Sequence, residues 1–124
     1  MKVRRLPPAH RDARGVIIDV LVGVKIDAVT YLTSKKGAVR GNHFHKKTVQ
    51  YTYLISGRMR YLTSDGAGRV SRRILRPGDL VESPPSETHT FVALEDCALL
   101  SLSRGPRQGI GFEDDTYRLP EPLA

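Results

Sequence analysis

An all-β sandwich or barrel is the fold that the 124-residue sequence predicts, and three observations carry it. Short runs rich in Val, Ile, Thr and Tyr recur at close intervals, Gly, Pro, Asp and Ser separate them, and no segment sustains a helical period. The length suits one compact domain and is too short for two. Strand-like runs are expected over 15–22, 27–34, 38–45, 49–56, 58–64, 69–75, 80–83, 89–94 and 97–103. Asp65-Gly66 supplies a hairpin turn between two of them. Residues 1–14 read as an N-terminal arm, and the acidic, proline-ended stretch 106–124 reads as a tail laid over the body.

Composition narrows the function. An apolar fraction of 40% with 27% charged residues is that of a globular protein. No apolar run spans a bilayer, the first residues do not form a signal peptide, and Cys97 is the only cysteine, expected buried and inert. A cytoplasmic protein without membrane contact is expected. Lys and Arg exceed Asp and Glu by 20 to 13, but the cations are scattered in pairs and no nucleic-acid motif is present. A small anionic ligand, such as a phosphorylated or nucleotide-linked metabolite, accounts for the excess equally well, as does chance, and no nucleic-acid partner is expected.

Alternation within 49–56 places Gln50, Thr52 and Leu54 on one face and Tyr51, Tyr53 and Ile55 on the other. With Gln50 turned inward, the second set forms an external apolar stripe, and a homodimer contact is expected there. His43 and His45 lie two apart and share a face. Gln50 on the next strand and His89, after a proline-rich turn, can face the same interior. Three imidazoles and an amide oxygen suit a divalent transition metal such as Zn, Ni, Mn or Fe.

These residues resemble the two motifs of the cupin family. Gly37, five residues, His43, one, His45, four, Gln50, six and Gly57 follow the first, with Gln where Glu is usual. Gly78, five residues, Pro84, one, Ser86, two and His89 follow the second, with Ser where Gly is usual. The resemblance implies a double-stranded β-helix, the cupin jelly-roll barrel, with metal ligands His43, His45, Gln50 and His89. A narrower resemblance, carried by "DARGVI", "RGNHFHKKTVQ" and "EDCALLSLSRG" with "FEDDTYRL", is to the small 3,4-ketoisomerases and epimerases that act on dTDP-linked keto-sugars. That group is thought to work without metal. It implies His43 and His45 as acid and base, Tyr31 assisting, and Arg14 and Arg40 binding a nucleotide-sugar. Two other functions compete: a metal-dependent oxygenase or lyase on a small organic molecule, and a non-enzymatic ligand-binding cupin.

Overall fold

The computed structural model describes residues 1–106 and 115–124. Two five-stranded antiparallel sheets pack face to face as a jelly-roll-like sandwich. One contains β1 (Lys2–Arg5), β9 (Asp79–Ser83), β6 (Val49–Ser56), β11 (Cys97–Arg104) and β4 (Ala28–Ser34), in that order. The other contains β12 (Tyr117–Arg118), β5 (Val39–Phe44), β10 (Thr88–Ala93), β7 (Met59–Ser64) and β8 (Val70–Leu75). A separate hairpin pairs β2 (His10–Asp12) with β3 (Gly15–Ile17). No helix among the described residues is long and apolar enough to cross a membrane.

From β4 to β11 the strands fall where alternation predicts them, within a residue or two at each end. The run 15–22 does not hold: β3 stops at Ile17, and Val22 is 74% exposed. The arm expected over 1–14 divides, since β1 joins a sheet through β9 while the hairpin extends to Ile17. Residues 107–114 of the expected tail, including part of "FEDDTYRL", lie outside the described residues.

The core occupies one half of the space between the sheets. Leu54, Met59, Tyr61, Leu75, Val81, Phe91, Ala93, Cys97 and Leu99 cluster there, all buried. They are the inward members of their strands, and their removal from water is the main stabilising contribution of the sandwich. Burial raises the Cys97 thiol pKa, and the thiol donates to the Arg58 carbonyl. Of the stripe expected on the outer face of β6, Tyr51 and Tyr53 are half-buried and Ile55 is exposed. Register extends the stripe across the sheet, because Tyr53 pairs with Leu100 and Leu100 with Tyr31, while Tyr51 pairs with Leu102 and Leu102 with Val29.

Candidate active site

At the other half of the interior, β5 and β10 bring three histidines together. His43 and His89 are register partners, and His45 follows the end of β5. The rings lie 4.7 to 5.2 Å apart, centroid to centroid, and their ligand nitrogens are all within 4.8 Å of one another.

Local backbone chemistry aims these rings. The pairing of β5 with β10 shifts register between His89 and Thr90, so Asn42 is an extra residue in β5, a β-bulge. Asn42 sits at φ 56° and Gly41 at φ 100°; Asn and Gly tolerate this left-handed region best. A Cβ on Gly41 would come within 2.5 Å of the His89 carbonyl oxygen, so glycine is what lets the two strands approach. The Asn42 side chain accepts from Thr90 Oγ1 at 2.9 Å and from the Leu123 amide at 2.8 Å, tying the bulge to the C-terminal segment. On the second motif, Ser86 also takes a positive φ, 71°, which is the physical reason for glycine there in the family pattern. Its amide donates to the His45 carbonyl.

The three imidazoles differ in their surroundings. His89 is 1% exposed, and neither of its ring nitrogens has a hydrogen-bond partner among the described residues. Burial, with His43 and His45 beside it, pushes its pKa down to about 3, so it is neutral at physiological pH. His45 Nδ1 lies 2.8 Å from the Asp115 main-chain oxygen. A carbonyl only accepts, so Nδ1 carries the proton and the lone pair sits on Nε2, which has no partner among the described residues. The Gln50 amide nitrogen donates to Thr52 Oγ1 at 3.2 Å, and its carbonyl oxygen is its remaining acceptor.

A pocket of about 350 Å³, within the range of small-ligand sites, opens onto this cluster through His43 and His89, His45 being outside its lining. His43, His89, Gln50 and Thr52 line it with Arg40 and Arg118, over an apolar floor that includes Met59 and Phe91. Arg40 is held by Ser34 Oγ at 2.8 Å and the Thr33 carbonyl at 2.7 Å.

Two expected site residues are elsewhere. Tyr31 is 64% exposed on the outer face of β4; alternation turns Leu32 inward instead, where it lines the pocket. Arg14 lies in the turn of the β2–β3 hairpin, outside the pocket, in an ion pair of 2.6 Å with Asp12. Conversely, Arg118 and Asp115 were not singled out from the sequence. Arg118 reaches the pocket because β12 pairs with β5, register to register with His43. Its one sequence signal is the "TYRL" string after the acidic run.

Three histidines whose ligand nitrogens lie within 4.8 Å of one another, with Nε2 of His45 and both ring nitrogens of His89 buried and unpartnered among the described residues, fit a divalent metal. A tetrahedral site with bonds of roughly 2.1 Å needs ligand nitrogens about 3.4 Å apart, so small ring movements would close the present spacing.

The comparisons agree with this architecture. Residues 30–103 match the family model described as a cupin domain, and the chain belongs to that family. A 3,4-ketoisomerase from Helicobacter canadensis superposes with a TM-score of 0.80 at 21% identity, covering 94% of this chain and 89% of that one. The 3,4-ketoisomerase QdtA from Thermoanaerobacterium thermosaccharolyticum, in a double mutant complexed with TDP, gives 0.79 at 22% identity, covering 95% and 86%. A dTDP-4-dehydrorhamnose 3,5-epimerase from Sulfolobus tokodaii gives 0.76 at 19%, covering 89% and 72%. No curated protein sequence matches the chain. The protein is thus a cupin whose fold resembles that of sugar-nucleotide isomerases and epimerases.

Proposed function

We propose that this cupin is an isomerase or epimerase acting on a keto-sugar nucleotide, with a three-histidine site able to hold a divalent metal. The observation that carries the reading is the pocket itself: imidazoles converge at its buried end and two arginines, Arg40 and Arg118, lie along its wall. Structures of QdtA bound to TDP and to TDP-4-keto-6-deoxyglucose, with the same fold, support a nucleotide-sugar as the ligand class.

Moving a ketone along a sugar ring begins with removal of the proton from the carbon beside the carbonyl. The C–H electrons flow to the carbonyl oxygen, giving an enediolate; the hydroxyl on the deprotonated carbon passes its proton to that oxygen, and reprotonation at the former carbonyl carbon then completes the shift. Imidazole is well suited to such transfers near neutral pH. His45 Nε2 presents the lone pair and takes the proton; His43, whose ring centroid is 4.9 Å away, delivers one to the opposite centre. Arg40 and Arg118 bind the diphosphate, and the net charge of +7 steers it in. His89, held neutral, is no acid in this scheme.

The unpartnered, neutral His89 is the observation that favours metal capability. His43, His45 and His89, with the Gln50 oxygen, would hold the ion. Bound there, a divalent metal would polarise the carbonyl and stabilise enediolate charge, but it would engage the His45 Nε2 lone pair, so the metal-held state is an alternative to the acid–base scheme above and not an addition to it.

Calorimetric titration tests the substrate class. TDP-4-keto-6-deoxyglucose and TDP should both bind, and Arg118→Ala should weaken both by roughly tenfold, the scale of one lost charged contact. Equal indifference to TDP, to the keto-sugar nucleotide and to other nucleotide-sugars would contradict the reading.

We further propose a homodimer formed through the outer face of β6, β11 and β4. The support is the breadth of the stripe. Val29, Tyr31 and Ile55 stay exposed on it, and β1, which joins the far edge of the sheet through β9, does not cover them.

A further inference from the structure

We propose that Asp115 is a positioning residue that fixes the tautomer of His45, and that it does so with its main chain while its carboxylate anchors the loop beneath. This rests on the reading of His45 as a base or ligand, and deepens it. Asp115 is 5% exposed, 70 residues from His45 in sequence, and sits just before β12. Its two carboxylate oxygens accept from three successive amides, Lys46 at 3.1 Å, Lys47 at 2.9 Å and Thr48 at 2.8 Å. That turn follows directly on His45 and leads into β6, so one acidic side chain ties the two strands that supply His43, His45 and Gln50. Gly105 packs against the same turn, where a Cβ would come within 2.9 Å of Thr48 Cα. The carboxylate therefore holds the segment in a single place, and the Asp115 carbonyl meets His45 Nδ1 at 2.8 Å.

The consequence is chemical. Neutral imidazole has two tautomers, and only the Nδ1–H form leaves Nε2 free to take a proton or bind a metal. A second hydrogen bond that settles this choice is what orients catalytic and metal-binding histidines generally. Neighbouring contacts reinforce the arrangement. Tyr117 stacks on Phe44 with centroids 5.4 Å apart, Lys46 Nζ lies 4.3 Å above the Tyr117 ring, and the Leu119 amide donates to the Asn42 carbonyl at 2.9 Å. The C-terminal segment is thus a strap over β5, the strand that carries His43 and leads into His45.

The test is long-range proton–nitrogen correlation NMR of the full-length, metal-free protein labelled with nitrogen-15 in histidine, at a pH where the imidazoles are neutral. Native protein should show His45 as the Nδ1–H tautomer. Asp115→Ala should convert it to a mixture of both forms while the His89 signals move little. Asp115→Asn, which keeps one side-chain acceptor oxygen for the Lys46–Thr48 amides, should restore most of the native tautomer. Zinc affinity, measured with zinc alone, should fall 10- to 100-fold in the alanine variant and recover in the asparagine one. A native His45 protonated on Nε2 would overturn the proposal, whether or not either variant folds. So would an alanine variant that keeps one Nδ1–H tautomer and native zinc affinity. Neither readout uses nucleotide-sugars, so failure of the proposed function leaves the proposal standing, and the reverse also holds.

Discussion

The two halves of the barrel interior are built from the same strands and differ end to end. Along β6 the inward residues run Gln50, Thr52, Leu54; along β11, from the same end, they run Ser103, Ser101, Leu99. Along β10 they run His89, Phe91, Ala93, and opposite them on β7 run Thr63, Tyr61, Met59. Each strand is polar at one end and apolar at the other, and register aligns the polar ends. A gradient written residue by residue thus becomes two regions, a packed core and a reactive pocket. Their stability and their chemistry should separate under experiment.

Acid should strike the polar half hardest. The unfolded chain's histidine binds a proton near its ordinary pKa of about 6.5, whereas folded His89 resists protonation until about pH 3. Between those values the unfolded state holds the extra proton, so stability rises with pH there and is lost as pH falls from about 6.5 towards 3. The full difference is on the order of 4–5 kcal/mol. Urea unfolding measured at intervals across that window should show the slope, and a flat profile would contradict the buried, neutral His89.

Truncation should strike the apolar half next. Leu54 is 1% exposed, and Leu54→Ala should cost about 2–5 kcal/mol in unfolding free energy. The surviving folded protein should keep its affinity for TDP, because Leu54 does not line the pocket. A loss below 1 kcal/mol would show that the two halves are not distinct in packing.

The outer face should give the smallest effect on the fold. Ile55→Glu should change the stability of each protomer by no more than about 0.5 kcal/mol, as exposed substitutions do. Analytical ultracentrifugation should nevertheless show native dimer becoming monomer. Native protein that sediments as a monomer at micromolar concentration would remove the dimer.

Much of this was legible in the sequence, for reasons the two halves make plain. Strands β4 to β11 announce themselves because inward positions must be compatible with the interior, leaving a period of two. The histidine set was legible because its spacing survives folding: His43 and His45 share a face, and His89 pairs with His43 across the ladder. Strands without an inward stripe were not legible. β1 reads "KVRR", β2 reads "HRD", and β12 has two residues, so each is defined by its partner rather than by its own pattern. Tyr31 illustrates a different failure, since the resemblance nominated a residue type while alternation within β4 decides the face. Asp115 could not be read at all. Its effect runs through a main-chain carbonyl and three amides, and nothing in a lone acid within an acidic run distinguishes that arrangement.

Solvent exchange tests the central claim, that the polar end of this barrel moves a proton beside a sugar carbonyl, most directly. Chelator-treated protein incubated in D2O with TDP-4-keto-6-deoxyglucose should replace the hydrogen on the carbon beside the ketone with deuterium, followed by proton NMR. In His45→Asn the rate should fall by roughly 10²- to 10⁴-fold, the usual worth of a positioned acid–base group, while binding persists. Substrate that binds to native protein and keeps that hydrogen, with or without added zinc, would contradict the account.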